Sequence, residues 1–255
     1  MTSILEAQEL NLKLGGGQSL FTKLSLAFRE GELAVLAGRN GAGKTVLAKC
    51  LAGVIPTKPG RILFRGQTLS KLPGSPATRV AYLFQDTRLQ VLGDSALDDA
   101  RFGPLARGLD PTAATEKARA ALELVGLGDK AGRSPIELSG GEQRRLGIAS
   151  ILALDPSVLI LDEPFANLDW EGVATLLAVL SALRTQGKTL IVLTHELEKI
   201  VGLADRLIVM DSGGIALDGT PARIVGEELE VHGLRNPLRP ASGLSDLQWL
   251  EGPAR

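Results

Sequence analysis

A glycine-rich octapeptide sets the architecture expected of this chain of 255 residues. Its sequence is Gly38-Arg39-Asn40-Gly41-Ala42-Gly43-Lys44-Thr45. It matches the phosphate-binding P-loop pattern, in which a glycine is followed by four residues and then by Gly-Lys-Thr. An apolar strand pattern precedes it and a helical pattern follows, so backbone N–H groups and a helix N-terminus should surround phosphate groups. Lys44 would supply a positive charge to the β- and γ-phosphates, and the Thr45 hydroxyl would coordinate Mg²⁺.

Apolar strand patterns alternate with helical patterns along much of the chain. The strand patterns cover residues 33–36, 79–84, 158–161 and 189–194. Runs that are apolar throughout are typical of a parallel sheet covered on both faces. Their alternation with helices predicts an α/β fold with a largely parallel sheet.

Three segments depart from this alternation. Residues 1–30 contain a Gly-Gly-Gly turn between alternating runs, which predicts antiparallel β-structure, and residues 206–218 have the pattern of a hairpin. Residues 86–150 have helical patterns, with Asp110 and Pro111 positioned to start a helix. We therefore expect one domain over residues 1–225, with an N-terminal antiparallel β-subdomain and a helical insertion at about 86–150. A short appendage over 226–255 would follow.

Composition restricts the class of protein. Basic and acidic residues number 28 and 29, a balance that gives no sequence-independent attraction to nucleic acid or anionic lipid. The single cysteine, Cys50, excludes an internal disulfide and fits a reducing compartment. The start of the sequence lacks a secretory pattern, and no apolar run approaches the roughly 18 residues of a membrane span. We expect a cytoplasmic protein that reaches a membrane only through a partner.

A second motif joins an apolar strand to two carboxylates, in Val158-Leu159-Ile160-Leu161-Asp162-Glu163-Pro164. The acids would lie at the carboxyl end of a central strand, where open α/β sheets bind ligands. On its own, an apolar strand that ends in acidic residues is more often structural than functional. Downstream of a P-loop, the functional interpretation is favoured instead. Asp162 would then hold Mg²⁺ through water, and Glu163 would orient and polarise an attacking water.

The third motif is Leu138-Ser139-Gly140-Gly141-Glu142-Gln143-Arg144-Arg145. Ser139 and Glu142 have the spacing of a capping box at the start of a helix. A cap alone does not require two adjacent glycines. Gly140 and Gly141 remove side chains from the helix N-terminus, which would suit a second phosphate-binding surface.

These motifs together resemble those of the ATP-binding-cassette family, whose signature is LSGGE. Gln85 in LFQD resembles the Q-loop glutamine, which the resemblance implies senses Mg²⁺ and a membrane partner. Asn167-Leu168-Asp169 is similar to the D-loop at the dimer interface, and His195 in LTHE resembles the switch histidine that contacts the γ-phosphate. The implied fold is a P-loop NTPase core of the RecA-like type.

The resemblance also implies a shared active site. Two ATPase subunits, identical or unlike, would dimerise head to tail and hold each ATP between Lys44 of one and Ser139 of the other. The residues implied to contact nucleotide include Ser139, Gly140, Gly141 and Glu142. Two positions depart from the family pattern: Leu14 falls where an aromatic residue usually stacks on adenine, and Val46 replaces a usual hydroxyl.

Residues 98–109, with the sequence DDARFGPLARGL, indicate a branch of the family. They resemble the DVAFGP-x-N-x-G-L segment of energy-coupling-factor importer ATPases, with Ala106 in place of Asn. The resemblance implies an integral membrane coupling subunit and a substrate-binding membrane subunit as partners, and it favours the cobalt/nickel branch. A vitamin or biotin importer, or another transporter of the family, is the alternative. A soluble P-loop kinase would not explain the LSGGE motif, Gln85 and His195 together.

Overall fold

The computed structural model describes residues 2–13, 15–86 and 90–238, and two β-sheets form its frame. One sheet is antiparallel and contains β1 (Ser3–Lys13), β2 (Ser19–Arg29), β4 (Ile62–Phe64) and β5 (Gln67–Thr68), in the order β2-β1-β4-β5. The other sheet has six strands: β3 (Leu33–Ala37), β6 (Val80–Leu83), β7 (Val158–Asp162), β8 (Thr189–Leu193), β9 (Arg206–Asp211) and β10 (Gly214–Gly219). Their order is β10-β9-β3-β8-β7-β6, and all neighbours are parallel except β10 with β9. The predicted α/β fold is confirmed.

The central strands are buried on both faces, as their continuous apolar sequences predicted. In β3, Leu33 and Val35 belong to one hydrophobic core, while Ala34 and Leu36 belong to a second. The second core lies between the two sheets and includes residues of the helix that follows the P-loop. The six-stranded sheet is therefore the layer that separates two cores, and the carboxyl ends of its strands carry the candidate site.

The helices are α1 (Lys44–Leu51), α2 (Ala96–Ala106), α3 (Pro111–Leu124), α4 (Gly140–Leu152), α5 (Trp170–Thr185) and α6 (Pro221–Ile224). Helices α2, α3 and α4 pack on one another and form the inserted helical subdomain. Helix α3 starts as predicted, since the Asp110 carboxylate accepts hydrogen bonds from the N–H groups of Thr112 and Ala113.

The segment after α6 returns to the core. Leu229 and Leu234 are buried in the same hydrophobic core as Leu33. The Asn236 side-chain amide donates to the carbonyl oxygen of Val225 at 2.8 Å. Residues 226–238 are thereby held against the ATPase domain, and the rest of the expected appendage lies outside the described residues.

Across the described ranges, no helix has the length and apolar character that crossing a membrane requires.

Candidate nucleotide site

The P-loop connects β3 to α1 and needs glycine at two of its positions. Gly38 has φ 143°, and a Cβ there would lie 2.2 Å from the Met210 carbonyl oxygen on β9. Gly43 has φ 101°, and its Cβ would lie 2.9 Å from the ring of Phe21. A side chain at Gly38 would collide with the backbone of β9, and one at Gly43 would displace the Phe21 ring on β2, while both φ values are ones that favour glycine. Between them, Asn40 and Gly41 are exposed, so the loop backbone is open to a ligand.

Lys44 lies within the curve of this loop. Its ammonium donates to the carbonyl oxygens of Gly38 at 2.6 Å and Arg39 at 3.2 Å, and the residue is only 6% exposed. Burial lowers the pKa of Lys44, while the negative charges of Glu163 and Asp162 oppose that shift. The fold thus brings the P-loop lysine close to the negative charges of Asp162, at the end of β7, and Glu163, which follows it.

Asp162, the last residue of β7, has two inequivalent oxygens. Its Oδ2 accepts a hydrogen bond from the Tyr82 hydroxyl at 2.6 Å. Its Oδ1 is buried and has no hydrogen-bond partner among the residues that the structure describes. A carboxylate oxygen left unsatisfied in this way fits a Mg²⁺ ion or a water bound to it, because oxygen ligands suit this cation. The half-buried Thr45 hydroxyl, in the first turn of α1, is the second candidate ligand.

Glu163 is held between two strands. Its N–H donates to the Leu193 carbonyl oxygen at the end of β8 at 2.9 Å, and its backbone has φ 47°. His195 Nδ1 donates to Glu163 Oε1 at 2.9 Å. The imidazole is 55% exposed, whereas the Glu163 side chain is 11% exposed. The candidate base and the candidate switch histidine therefore form a contacting pair at the edge of the site.

The capping box predicted at 139–142 is present at the start of α4. The Glu142 N–H donates to the Ser139 hydroxyl oxygen at 3.3 Å, and the Ser139 N–H donates to Glu142 Oε2 at 2.8 Å. Lys130 also donates to Glu142, and these bonds lower the pKa of Glu142 to about 2. Ser139 and Gly140 are exposed, so the helix N-terminus is available to a ligand from outside this chain.

A cleft with a volume of about 580 Å³ brings the Q-loop, the signature motif and the D-loop together. It is lined by Gln85, Asp86, Gly140, Gln143, Arg144, Ala166 and Asn167. Arg144 is buried, and its guanidinium donates to the Phe84 carbonyl oxygen at 3.3 Å. Helix α4 therefore contacts the backbone directly before Gln85. The adenine contact expected at Leu14 lies outside the described residues.

Sequence reasoning missed two sets of residues at this site. Tyr82 was not predicted, although a hydroxyl in an otherwise apolar buried strand requires a hydrogen-bond partner and signals a polar neighbour.

The second missed set, Asp211 and His232, contacts the P-loop residue Arg39 directly or through a shared carboxylate. Arg39 pairs with Asp211 at 2.8 Å, and His232 contacts the same carboxylate at 3.3 Å. The hydrogen bond with His232 holds the pKa of Asp211 below its ordinary value. No local sequence pattern indicates these contacts, because His232 lies far along the chain from the loop.

The fold and site define a P-loop ATPase, and comparison with known proteins identifies its family. The sequence pattern of the family described as ABC transporter matches residues 21–166. A cobalt import ATP-binding protein, CbiO, from Rhodobacter capsulatus is 37% identical over 243 residues, which cover 93% of this chain and 87% of that protein. An energy-coupling factor transporter ATP-binding protein, EcfA2, from Methanospirillum hungatei is 36% identical over 87% of this chain and 56% of its own length.

The structural comparison agrees. The structure of CbiO1 from Clostridium perfringens, part of the ABC transporter complex CbiONQ, superposes with a TM-score of 0.80. The two chains are 28% identical, and the match covers 89% of this chain and 92% of CbiO1. This chain belongs to the ABC transporter family and is an ATPase subunit similar to those of energy-coupling-factor importers.

Proposed function

We propose that this chain powers an energy-coupling-factor type importer of cobalt or nickel ions from the cytoplasmic face of the cell membrane. The observation that carries the proposal is its 37% identity to a cobalt import ATP-binding protein over 93% of the chain. The DDARFGPLARGL segment at 98–109, most of which forms α2, supports the same branch. The similarity to EcfA2 supports the importer class without indicating a metal. A vitamin or biotin importer of this class is therefore the alternative.

The P-loop is proposed to bind the phosphates of ATP. Backbone N–H groups of residues 38–46 would donate to the phosphate oxygens, and Lys44 would leave its carbonyl partners for the β- and γ-phosphates. Thr45, Asp162 and Gln85 are the residues proposed to hold Mg²⁺. When bound, this ion would neutralise charge that develops on the phosphates.

Glu163 and His195 are proposed to act on the water that attacks the γ-phosphorus. Glu163 would accept a hydrogen bond from that water and polarise it, so that ADP and phosphate form when the bond to the β-phosphate oxygen breaks. The 2.9 Å contact with His195 would fix the Glu163 carboxylate, and the exposed imidazole could also reach the γ-phosphate.

A second ATPase subunit, identical or unlike, is proposed to complete each site. In this chain the Ser139 N–H donates to the Glu142 carboxylate and the Ser139 hydroxyl accepts from the Glu142 N–H, while Ser139 and Gly140 are both exposed. The N–H groups at the start of α4 would therefore face the nucleotide bound to the other subunit, as expected for an anion at a helix N-terminus.

Membrane subunits are proposed to dock on the helical subdomain. Leu92, Phe102 and Leu105 are exposed by 65%, 51% and 37%, and they follow Gln85 closely in sequence. Exposed apolar side chains of this kind suit an apolar helix from the membrane coupling subunit. Leu89, another apolar residue of the segment that follows Gln85, lies outside the described residues.

The test is transport by the complete complex. The chain would be purified with its membrane subunits, reconstituted in vesicles, and assayed for ATP-dependent uptake of Co²⁺, Ni²⁺ and biotin. Uptake of Co²⁺ or Ni²⁺ that is lost in Lys44→Ala would support the proposal. Uptake of biotin or another vitamin, without metal uptake, would overturn the cobalt/nickel assignment in favour of the alternative.

A further inference from the structure

Tyr82 occupies a position that neither the P-loop nor the signature motif explains. It is the only tyrosine in the sequence and lies within β6, beside β7, where it pairs with Ile160. The residue is 6% exposed, and its hydroxyl donates to Asp162 Oδ2 at 2.6 Å.

The ring that carries this hydroxyl is itself held in place. The Phe84 ring meets it edge to face, with centroids 4.8 Å apart and planes at 82°. The Gln90 side-chain amide donates to the Tyr82 carbonyl oxygen at 3.2 Å. A donor fixed by its strand and by an aromatic neighbour can fix the carboxylate it contacts, because the carboxylate loses freedom to rotate.

The two carboxylate oxygens of Asp162 are therefore in different environments. Oδ2 is occupied by the phenol, while Oδ1 is buried and has no partner in the described part of the chain. Outer partners of this kind orient a metal ligand and tune its affinity.

We propose that Tyr82 is a positioning residue that holds Asp162 so that Oδ1 is presented to Mg²⁺ or to a water bound to it. This inference rests on the proposed role of Asp162 in holding the metal. Tyr82 also lies three residues before Gln85, a second proposed metal ligand, which follows the end of β6.

The decisive variant is Tyr82→Phe, which removes the hydroxyl and keeps the ring against Phe84. ADP binding would be measured by calorimetry in EDTA and at increasing Mg²⁺ concentrations. The expected result is unchanged affinity in EDTA and a half-saturating Mg²⁺ concentration raised about 10- to 100-fold, the usual cost of losing such an outer partner. The same shift is expected with Mn²⁺, followed by its paramagnetic resonance signal.

A matched control is Thr189→Val. Thr189 is also fully buried in the same sheet, but its hydroxyl accepts from the Gly31 N–H at the opposite end of β8 from Leu193. This variant should lose some stability and keep the wild-type Mg²⁺ requirement.

Two results would overturn the inference while leaving the proposed metal role of Asp162 intact. One is a half-saturating Mg²⁺ concentration that is unchanged in Tyr82→Phe but raised in Asp162→Asn. The other is an equal loss of ADP affinity with and without metal in Tyr82→Phe, which indicates a purely structural role. A normal Mg²⁺ requirement in Asp162→Asn would instead overturn the proposed metal role of Asp162, and this inference with it.

Discussion

Glu163 has a φ of 47°, a left-handed backbone conformation that residues other than glycine seldom adopt. A non-glycine residue in this region costs roughly 1–3 kcal/mol and is usually retained where function requires it. Its N–H is bonded to Leu193 and its carboxylate to His195, so neighbouring elements hold the strained residue in place. At the scale of single residues, the backbone strain at Glu163 is the cost of a fixed carboxylate beside the proposed phosphate site.

Replacing Glu163 by Gln should separate nucleotide binding from hydrolysis. The amide keeps the size of the side chain but cannot act as a base, so phosphate release should fall by at least about 100-fold. ATP and Mg²⁺ should still bind, and closed dimers should accumulate with ATP in size-exclusion chromatography. Turnover at the wild-type rate would contradict the role given to Glu163.

Among the helices, α4 shows how a local motif can serve both folding and the site. Its capping box satisfies N–H groups at the helix start, and Lys130 adds a charge that stabilises ionised Glu142. The folded-state pKa of Glu142, about 2, lies below its ordinary value of 4.5. The resulting stabilisation is therefore complete above about pH 4.5 and is lost as the pH falls towards 2.

The variant Lys130→Met should raise the pKa of Glu142 and weaken this end of the helix. At pH 6 its melting temperature should be lower than that of the wild type, and the difference should shrink as the pH falls from about 4.5 towards 2. Thermal unfolding followed by circular dichroism at several pH values measures this. In a Glu142→Gln background the same substitution should have no pH-dependent effect; a persistent dependence would assign the effect to another group.

Local sequence patterns predicted most helices and strands, but they did not predict contacts between residues far apart in the sequence. The continuous apolar runs of β3, β7 and β8, and the Asp110 cap of α3, follow from neighbouring residues alone. The strands β4 and β5 have three and two residues, too few for a periodic pattern to emerge. The bond between Tyr82 and Asp162 joins residues 80 positions apart and depends on the register of β6 against β7. Such a register follows from tertiary packing, which local sequence does not specify.

Across the whole molecule, β6 and α4 connect the proposed phosphate site to the helical subdomain. Tyr82 contacts Asp162, and the same strand leads through Phe84 to Gln85. Arg144 of α4 donates to the Phe84 carbonyl oxygen, so α4 and the Q-loop are joined beside the cleft. A change at the proposed phosphate site therefore has a physical route through α4 to α2, which packs on α4 and carries the exposed side chains of Phe102 and Leu105.

A negative charge at Phe102 or at Leu92 should uncouple transport from hydrolysis. Phe102 and Leu92 are 51% and 65% exposed, so Phe102→Glu and Leu92→Glu should leave the isolated protein folded and able to hydrolyse ATP. In the reconstituted complex, solute uptake should fall more than about tenfold, because burying an unpaired carboxylate against an apolar helix costs well over the 1.4 kcal/mol that a tenfold loss represents. Val54→Glu, at an exposed apolar position that lies before Gln85 in the sequence and outside the helical subdomain, is the matched control and should transport normally. Normal uptake in both variants would place the membrane contact elsewhere, and loss of the circular dichroism spectrum would instead assign these side chains to the core.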